Sequence, residues 1–278
     1  MKSKLVLMIL LCLSTQMFSI ESKVKSKDGV EIAFSKYGNG EPAIVLVHGW
    51  SCDQSYWKNQ IEELAENYTV VTVDLAGHGL SGMERKNYTM DFFGEDVAAV
   101  VNNLNLNKVI LAGHSMGGSV VIYAANKLKD KTIGIIGVDT YQSLGEEFPA
   151  EQRDAFLKPF KENFTETTKW FVGTMFPKNA DPELIKSIAE DMSSAPSEVA
   201  VSAMENMFSD NGTEQLSQLT VSIISINCDI WPVSLENNQK LVKSFELKMM
   251  KGYGHFLMME NPKVFNALLA ESINELIK

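Results

Sequence analysis

The sequence predicts an α/β fold around a mainly parallel sheet. Three observations carry that expectation: β-branched apolar runs that end in Gly, His or Asp, helical apolar spacing between those runs, and a length of 278 residues, enough for a large core. Composition is that of an ordinary globular chain, 45% apolar and 22% charged. With 25 basic against 35 acidic residues the formal charge is −10, which argues against nucleic acid or anionic lipid as a partner.

The first stretch, MKSKLVLMILLCLSTQMFS, places Lys2 and Lys4 ahead of an apolar run from Leu5 to Leu13. That run is too short to span a bilayer and fits the core of a secretory signal peptide over 1–19, cleaved between Ser14 and Ile20. The expectation is an exported protein, periplasmic or secreted, with no stable membrane insertion once the leader is gone. Leu11 is bulky for lipidation of the adjacent Cys12. The remaining pair, Cys52 and Cys228, permits a disulfide without implying one. Four N-x-T sites, at Asn67, Asn87, Asn163 and Asn211, are close to the number chance would give. No Cys/His cluster has zinc spacing, so neither metal nor cofactor is expected.

After the leader, VKSKDGVEIAFSKYG alternates around Asp28-Gly29 and reads as a β-hairpin. AIVLVHGW (43–50), YTVVTVDLAGHG (68–79) and KVILAGHS (108–115) read as buried parallel strands. Between and after them, YWKNQIEELAENY, TMDFFGEDVAAVVNNLNL and SVVIYAANKLKD carry helical periodicity. TIGIIGVDT (132–140), LTVSIISINCD (219–229) and SFELKMMKGYGH (244–255) supply further strands, and NPKVFNALLAESINELIK a last helix. The core is thus expected in two parts, 20–140 and 219–278.

The interval 141–218 lacks strand-like runs and has helix starts at Asp181-Pro182-Glu183 and Ser194-Ala195-Pro196. It reads as a helical insertion, or cap. Its Phe160, Phe164, Trp170, Phe171, Phe176, Met204, Met207 and Phe208 either glue the cap to the core or line a pocket beneath it.

Ser115 sits in G-H-S-M-G between a strand and a helix, where a nucleophile elbow belongs. Glycines at 113 and 117 let strand and helix approach, and the helix start supplies N–H groups for a developing oxyanion. A serine nucleophile needs a base. With the chain order Ser, acid, His that accompanies this elbow, His255 is the histidine left, because His48 and His78 precede the serine and His114 should be turned away. Gly252 and Gly254 would loosen the backbone around it. Two aspartates at strand ends qualify as the acid. Asp229 is favoured, since its strand is the penultimate one and the loop DIWP turns back toward His255; Asp139 is the alternative. Trp50 and Met116 are the expected oxyanion-hole N–H donors, with the Trp50 indole walling the acyl pocket.

HGW (48–50), DLAGHGLSG (74–82), GHSMGG (113–118), INCDIWP (226–232) and GHFLMMENPKVF (254–265) stand in an order and spacing that resembles the α/β-hydrolase fold family, in its single-domain serine hydrolases with a helical cap. The likeness runs over nearly the whole chain after the leader. It implies an α/β-hydrolase fold with Ser115, Asp229 and His255 as triad, although INCDIWP lacks the Gly that relatives often carry before the acid. It further implies cleavage of a small or medium neutral ester, with no cofactor. A lactonase, a carbon–carbon bond hydrolase, a cofactor-free perhydrolase or a slow-turnover ligand sensor are the alternatives on the same fold. Serine in place of aspartate at the elbow speaks against dehalogenases and epoxide hydrolases.

Overall fold

The computed structural model describes residues 20–278; the expected leader, with Cys12, lies outside the described residues. Eight strands form one sheet: β1 (Ile20–Lys25), β2 (Glu31–Tyr37), β3 (Ala43–Val47), β4 (Thr69–Val73), β5 (Val109–His114), β6 (Thr132–Val138), β7 (Ile223–Asn227) and β8 (Phe245–Met249). Their spatial order is β1-β2-β4-β3-β5-β6-β7-β8. The pairs β1–β2 and β2–β4 are antiparallel and every other pair is parallel. The expected hairpin is β1–β2, with Lys25 opposite Glu31 and Gly29 at a φ of +92. β3 (AIVLV) and β5 (VILAGH) are buried along their whole length, because helices cover both faces.

Before β7 the helices are α1 (Lys58–Ala65), α2 (Met90–Asn103), α3 (Met116–Leu128), α4 (Ala150–Glu162), α5 (Phe164–Gly173), α6 (Pro182–Ser193), α7 (Ser197–Ser209) and α8 (Thr213–Gln218). Then come α9 (Leu235–Leu241), α10 (Leu257–Glu260) and α11 (Pro262–Ile277). Their starts follow local chemistry. Thr89 accepts the Phe92 N–H ahead of α2, Asp181 caps α6 just before Pro182, and Asn261 caps α11 just before Pro262. The five helices α4 to α8 all lie between β6 and β7. They are tied to the core by the Trp50 indole N–H on the Ala200 carbonyl (2.7 Å) and by the Tyr56 hydroxyl on Asp191 (2.6 Å).

Register decides where the site sits. Val47 pairs with Gly113, His114 with Val138, and Val138 with Ile226, so β3, β5, β6 and β7 end at one rim. Just past those ends the Ser115 N–H donates to the Val138 carbonyl (3.0 Å) and the Asp139 N–H to that of Ile226 (2.8 Å). Ligands in open parallel sheets gather at such a carboxyl rim.

Arg85 ties the hairpin to the core: its guanidinium meets Asp28 (2.7 Å) and the fully buried Asp96 (2.6 Å). Asp96 also accepts the Ser26 hydroxyl and the Ala76 N–H, so the buried charge is both paired and hydrogen-bonded.

His48, at the end of β3, is wholly buried and holds the loop that follows it. Its Nε2 accepts the Leu75 N–H (3.1 Å), so its Nδ1 carries the proton and donates to the Gly49 carbonyl (2.8 Å). Burial pushes the His48 imidazole down to about 4, and burial with the nearby His48 charge pushes His78 down to about 3. The unfolded chain protonates these rings near their ordinary value, so their contribution to stability is complete above about pH 6.5 and is lost as the pH falls toward the folded values. Calorimetric scans should show Tm falling between about pH 7 and pH 4.5, with the His48 ring still neutral by NMR at about pH 5; a His48 ring that titrates near its ordinary value would contradict this packing.

Candidate active site

Ser115 adopts φ +52 and ψ −118 between β5 and α3, a left-handed conformation that costs a non-glycine residue on the order of 1–3 kcal/mol. Two close approaches hold it there. A Cβ added at Gly113 would come within 2.1 Å of the Gly117 carbonyl oxygen, and one at Gly117 within 2.6 Å of the carbonyl oxygens of Val47 and His48. Only hydrogen fits at either place. A Cβ at Gly49 would stand 2.8 Å from His114 Nδ1 and 3.3 Å from Ser115 Cβ, so the 48–50 loop lies directly against the turn. Met116, the first residue of α3, belongs to the turn whose N–H groups have no partner within the helix. Trp50 follows Gly49 in the apposed loop and is buried.

His255 is held through its Nδ1 and through its backbone. Its Nδ1 meets Asp139 Oδ2 at 2.5 Å, and the other Asp139 oxygen accepts the Cys228 N–H at 2.9 Å. Asp139 is 1% exposed, so this carboxylate is withdrawn from water and oriented by β6 and β7 together. The His255 N–H donates to Met175 at the end of the α5 segment (2.9 Å), and its carbonyl accepts from His114 Nε2 (2.9 Å). Glu260 of α10 accepts the N–H groups of both neighbours, Gly254 (2.8 Å) and Phe256 (3.2 Å). Burial raises the Glu260 carboxyl above its ordinary value, against the lowering effect of those hydrogen bonds.

Several sequence expectations change here. The carboxylate paired with His255 is Asp139; Asp229 is not brought to the imidazole. Asp229 is exposed, beyond the end of β7, where Oδ1 accepts the Gly252 N–H at 2.8 Å. The loop after it does return toward His255, but it delivers the Trp231 ring, edge-on with centroids 5.5 Å apart. The physical reason lies in the turn after β6: Asp139 takes φ +45, and its carboxylate is fixed by the Cys228 N–H of the neighbouring strand end. Gly254 serves close approach and not mobility, since a Cβ there would meet the Met175 carbonyl oxygen at 2.5 Å. His114 is not turned away from the site. Its ring packs 4.6 Å from that of His255, and burial keeps its imidazole well below the usual range and therefore neutral.

Cys52 and Cys228 are both buried free thiols. Burial, with the Asp139 charge beside it, pushes the Cys228 thiol up to about 12, so it stays protonated. Among the described residues no group of His, Cys, Asp and Glu is placed to hold a metal ion, and no helix is long and apolar enough to cross a membrane.

Ser115, His255 and Asp139 line one cavity of about 650 Å³, in the range of small-molecule sites. The cap residues divide in their use. Phe171, Met204, Met207 and Phe208 line the cavity. Phe160 and Phe164 pack edge-on against the Trp50 indole, Phe176 stacks on Phe256, and Trp170 is 65% exposed. Sequence reasoning missed Glu260 and the structural service of His48 and His114. The one available signal for Glu260 was its place four residues beyond Phe256 in GHFLMMENP, ahead of a helix-opening Asn-Pro.

Among curated proteins the chain is similar to 3-oxoadipate enol-lactonase 2 of Acinetobacter baylyi, 23% identical over 259 residues that cover 90% of this chain and 95% of that protein. It is also similar to the Karrikin insensitive 2 receptor CA of Petunia hybrida, 22% identical over 252 residues, 85% of this chain and 93% of the receptor. Among solved structures, an esterase from Exiguobacterium antarcticum superposes with a TM-score of 0.82 at 20% identity, covering 92% of this chain and 100% of that one. A thermophilic esterase from Thermogutta terrifontis gives 0.79 at 24% identity, covering 92% and 99%. These structural likenesses bear on the fold. The model of the alpha/beta hydrolase family matches residues 44–268, and this chain belongs to that family.

Proposed function

We propose that the protein is a serine hydrolase that cleaves a carboxylic ester through an acyl-enzyme on Ser115. The observation that carries the reading is the 2.5 Å contact between Asp139 and His255 Nδ1, made beside a serine held at positive φ in the same cavity. With Nδ1 committed to Asp139, Nε2 is the nitrogen left to take the Ser115 proton. The freed Oγ attacks the ester carbonyl, and the oxygen that becomes negative is met by the N–H groups of Met116 and Trp50. His255 then returns its proton to the leaving alcohol. In the second half a water molecule gives its proton to His255 and attacks the acyl carbon, and the acid departs as the proton returns to Ser115.

Asp139 holds the imidazole in the tautomer this requires and stabilises the imidazolium formed on the way. Asp229 has a separate duty, fastening the turn at Gly252. The similarity to an enol-lactonase, whose cyclic ester would react through the same steps, supports acyl transfer to water. Similarity to a protein named as a receptor makes turnover number the quantity that separates an enzyme from a slow-turnover sensor.

A fluorophosphonate should label Ser115, and Ser115→Ala should abolish labelling and multiple-turnover hydrolysis of short-chain p-nitrophenyl esters. A wild-type protein that stops after a single turnover would oppose the esterase reading. Asp139→Asn should lower kcat by about four orders of magnitude while Asp229→Asn changes it less than about tenfold. Steady-state kinetics of the two variants decide between the aspartates, and the reverse ranking would return the role to Asp229.

A further inference from the structure

Two cavities of different character adjoin, one holding Ser115 and the other meeting it along a shared border. The first, of about 650 Å³, has Ser115 and His255 among its lining and apolar walls that include Trp50, Phe156, Phe171 and Trp231. Five methionines, Met116, Met175, Met192, Met204 and Met207, complete those walls. Thioether chains adapt to the shape of a ligand but offer nothing to a charge. Among the described residues, none that lines this cavity is Lys or Arg, and its one carboxylate, Asp139, is already paired with His255. The second cavity, of about 540 Å³, shares Ser119, Thr140, Gln142, Phe148 and Phe208 with the first. It is bordered by Glu146, Glu147 and Asp210, again without Lys or Arg among the described residues.

Resting on the esterase reading above, we infer that the substrate spans both cavities as an amphipathic, non-anionic ester: a bulky uncharged apolar portion lies in the first and a polar portion, neutral or cationic, in the second. A carboxylate carried into the first cavity would lose its hydration and find no cation. In the second it would face the glutamates at close range. Each methylene that the first cavity accepts should raise kcat/KM roughly fourfold until the cavity is filled.

The test compares kcat/KM of the full chain within two matched ester pairs. Methyl octanoate and monomethyl suberate differ by a carboxylate at the far end of the acyl chain, and the suberate ester should be slower on the order of a hundredfold. Octanoylcholine and O-octanoyl glycolate differ in the charge of the alcohol, and the glycolate ester should be slower by at least about tenfold. The double variant Glu146→Lys, Glu147→Lys, altered at two exposed positions, should narrow the second ratio. Equal or faster turnover of either anionic ester, or an unchanged second ratio in the double variant, would overturn the inference while leaving the esterase reading intact. Failure to hydrolyse any of the four esters, together with an unlabelled Ser115, would instead remove the esterase reading and this inference with it.

Discussion

The site depends on one contact, the 2.5 Å hydrogen bond between Asp139 and His255 Nδ1, and on the sheet register that makes it available. β5 and β6 leave the sheet at the same level, since the Ser115 N–H finds the Val138 carbonyl, and β7 follows because the Asp139 N–H finds that of Ile226. Serine and acid therefore emerge side by side from adjacent strands. The imidazole arrives from a loop more than a hundred residues further on in the chain, and its backbone is fixed by groups of different origin: Met175, His114 and Glu260. Such anchoring lowers the entropy cost of holding a base in one geometry.

The strands and most helices of the core could be read from local patterning, because a buried parallel strand is a continuous apolar run and a helix start has a capping residue or proline. Ser115 was legible for a related reason. Its two flanking glycines answer to steric demands that the structure shows as 2.1 and 2.6 Å approaches of would-be Cβ atoms. His255 followed from chain order. The carboxylate that pairs with it did not, because Asp139 and Asp229 both follow buried strands and local pattern treats them alike. What separates them is tertiary: a left-handed turn at 139 and the Cys228 N–H that orients one carboxylate, against an amide at Gly252 that occupies the other. The expectation that DIWP returns toward the histidine held for the loop and failed for the side chain it was meant to deliver.

The cap shows the same limit. Its aromatic surplus is visible in the sequence, but periodicity does not distinguish Phe171, which lines the cavity, from Phe160, which buttresses Trp50, or from Trp170, which stands in solvent. Trp50 joins the two layers. Its backbone lies beside the serine turn, its ring is boxed by three phenylalanines, and its indole N–H is spent on the Ala200 carbonyl of α7. The proposed oxyanion donor and the wall that shapes the pocket are thus parts of one residue fastened to both core and cap.

A crystal structure of the fluorophosphonate adduct tests this account most directly. The account requires phosphorus bonded to Ser115 Oγ, a phosphonyl oxygen within hydrogen-bonding distance of both the Trp50 and Met116 N–H groups, and the His255 ring still paired through Nδ1 with Asp139. An adduct in which the imidazole has turned to Asp229, or in which the phosphonyl oxygen points away from those two N–H groups, would contradict it.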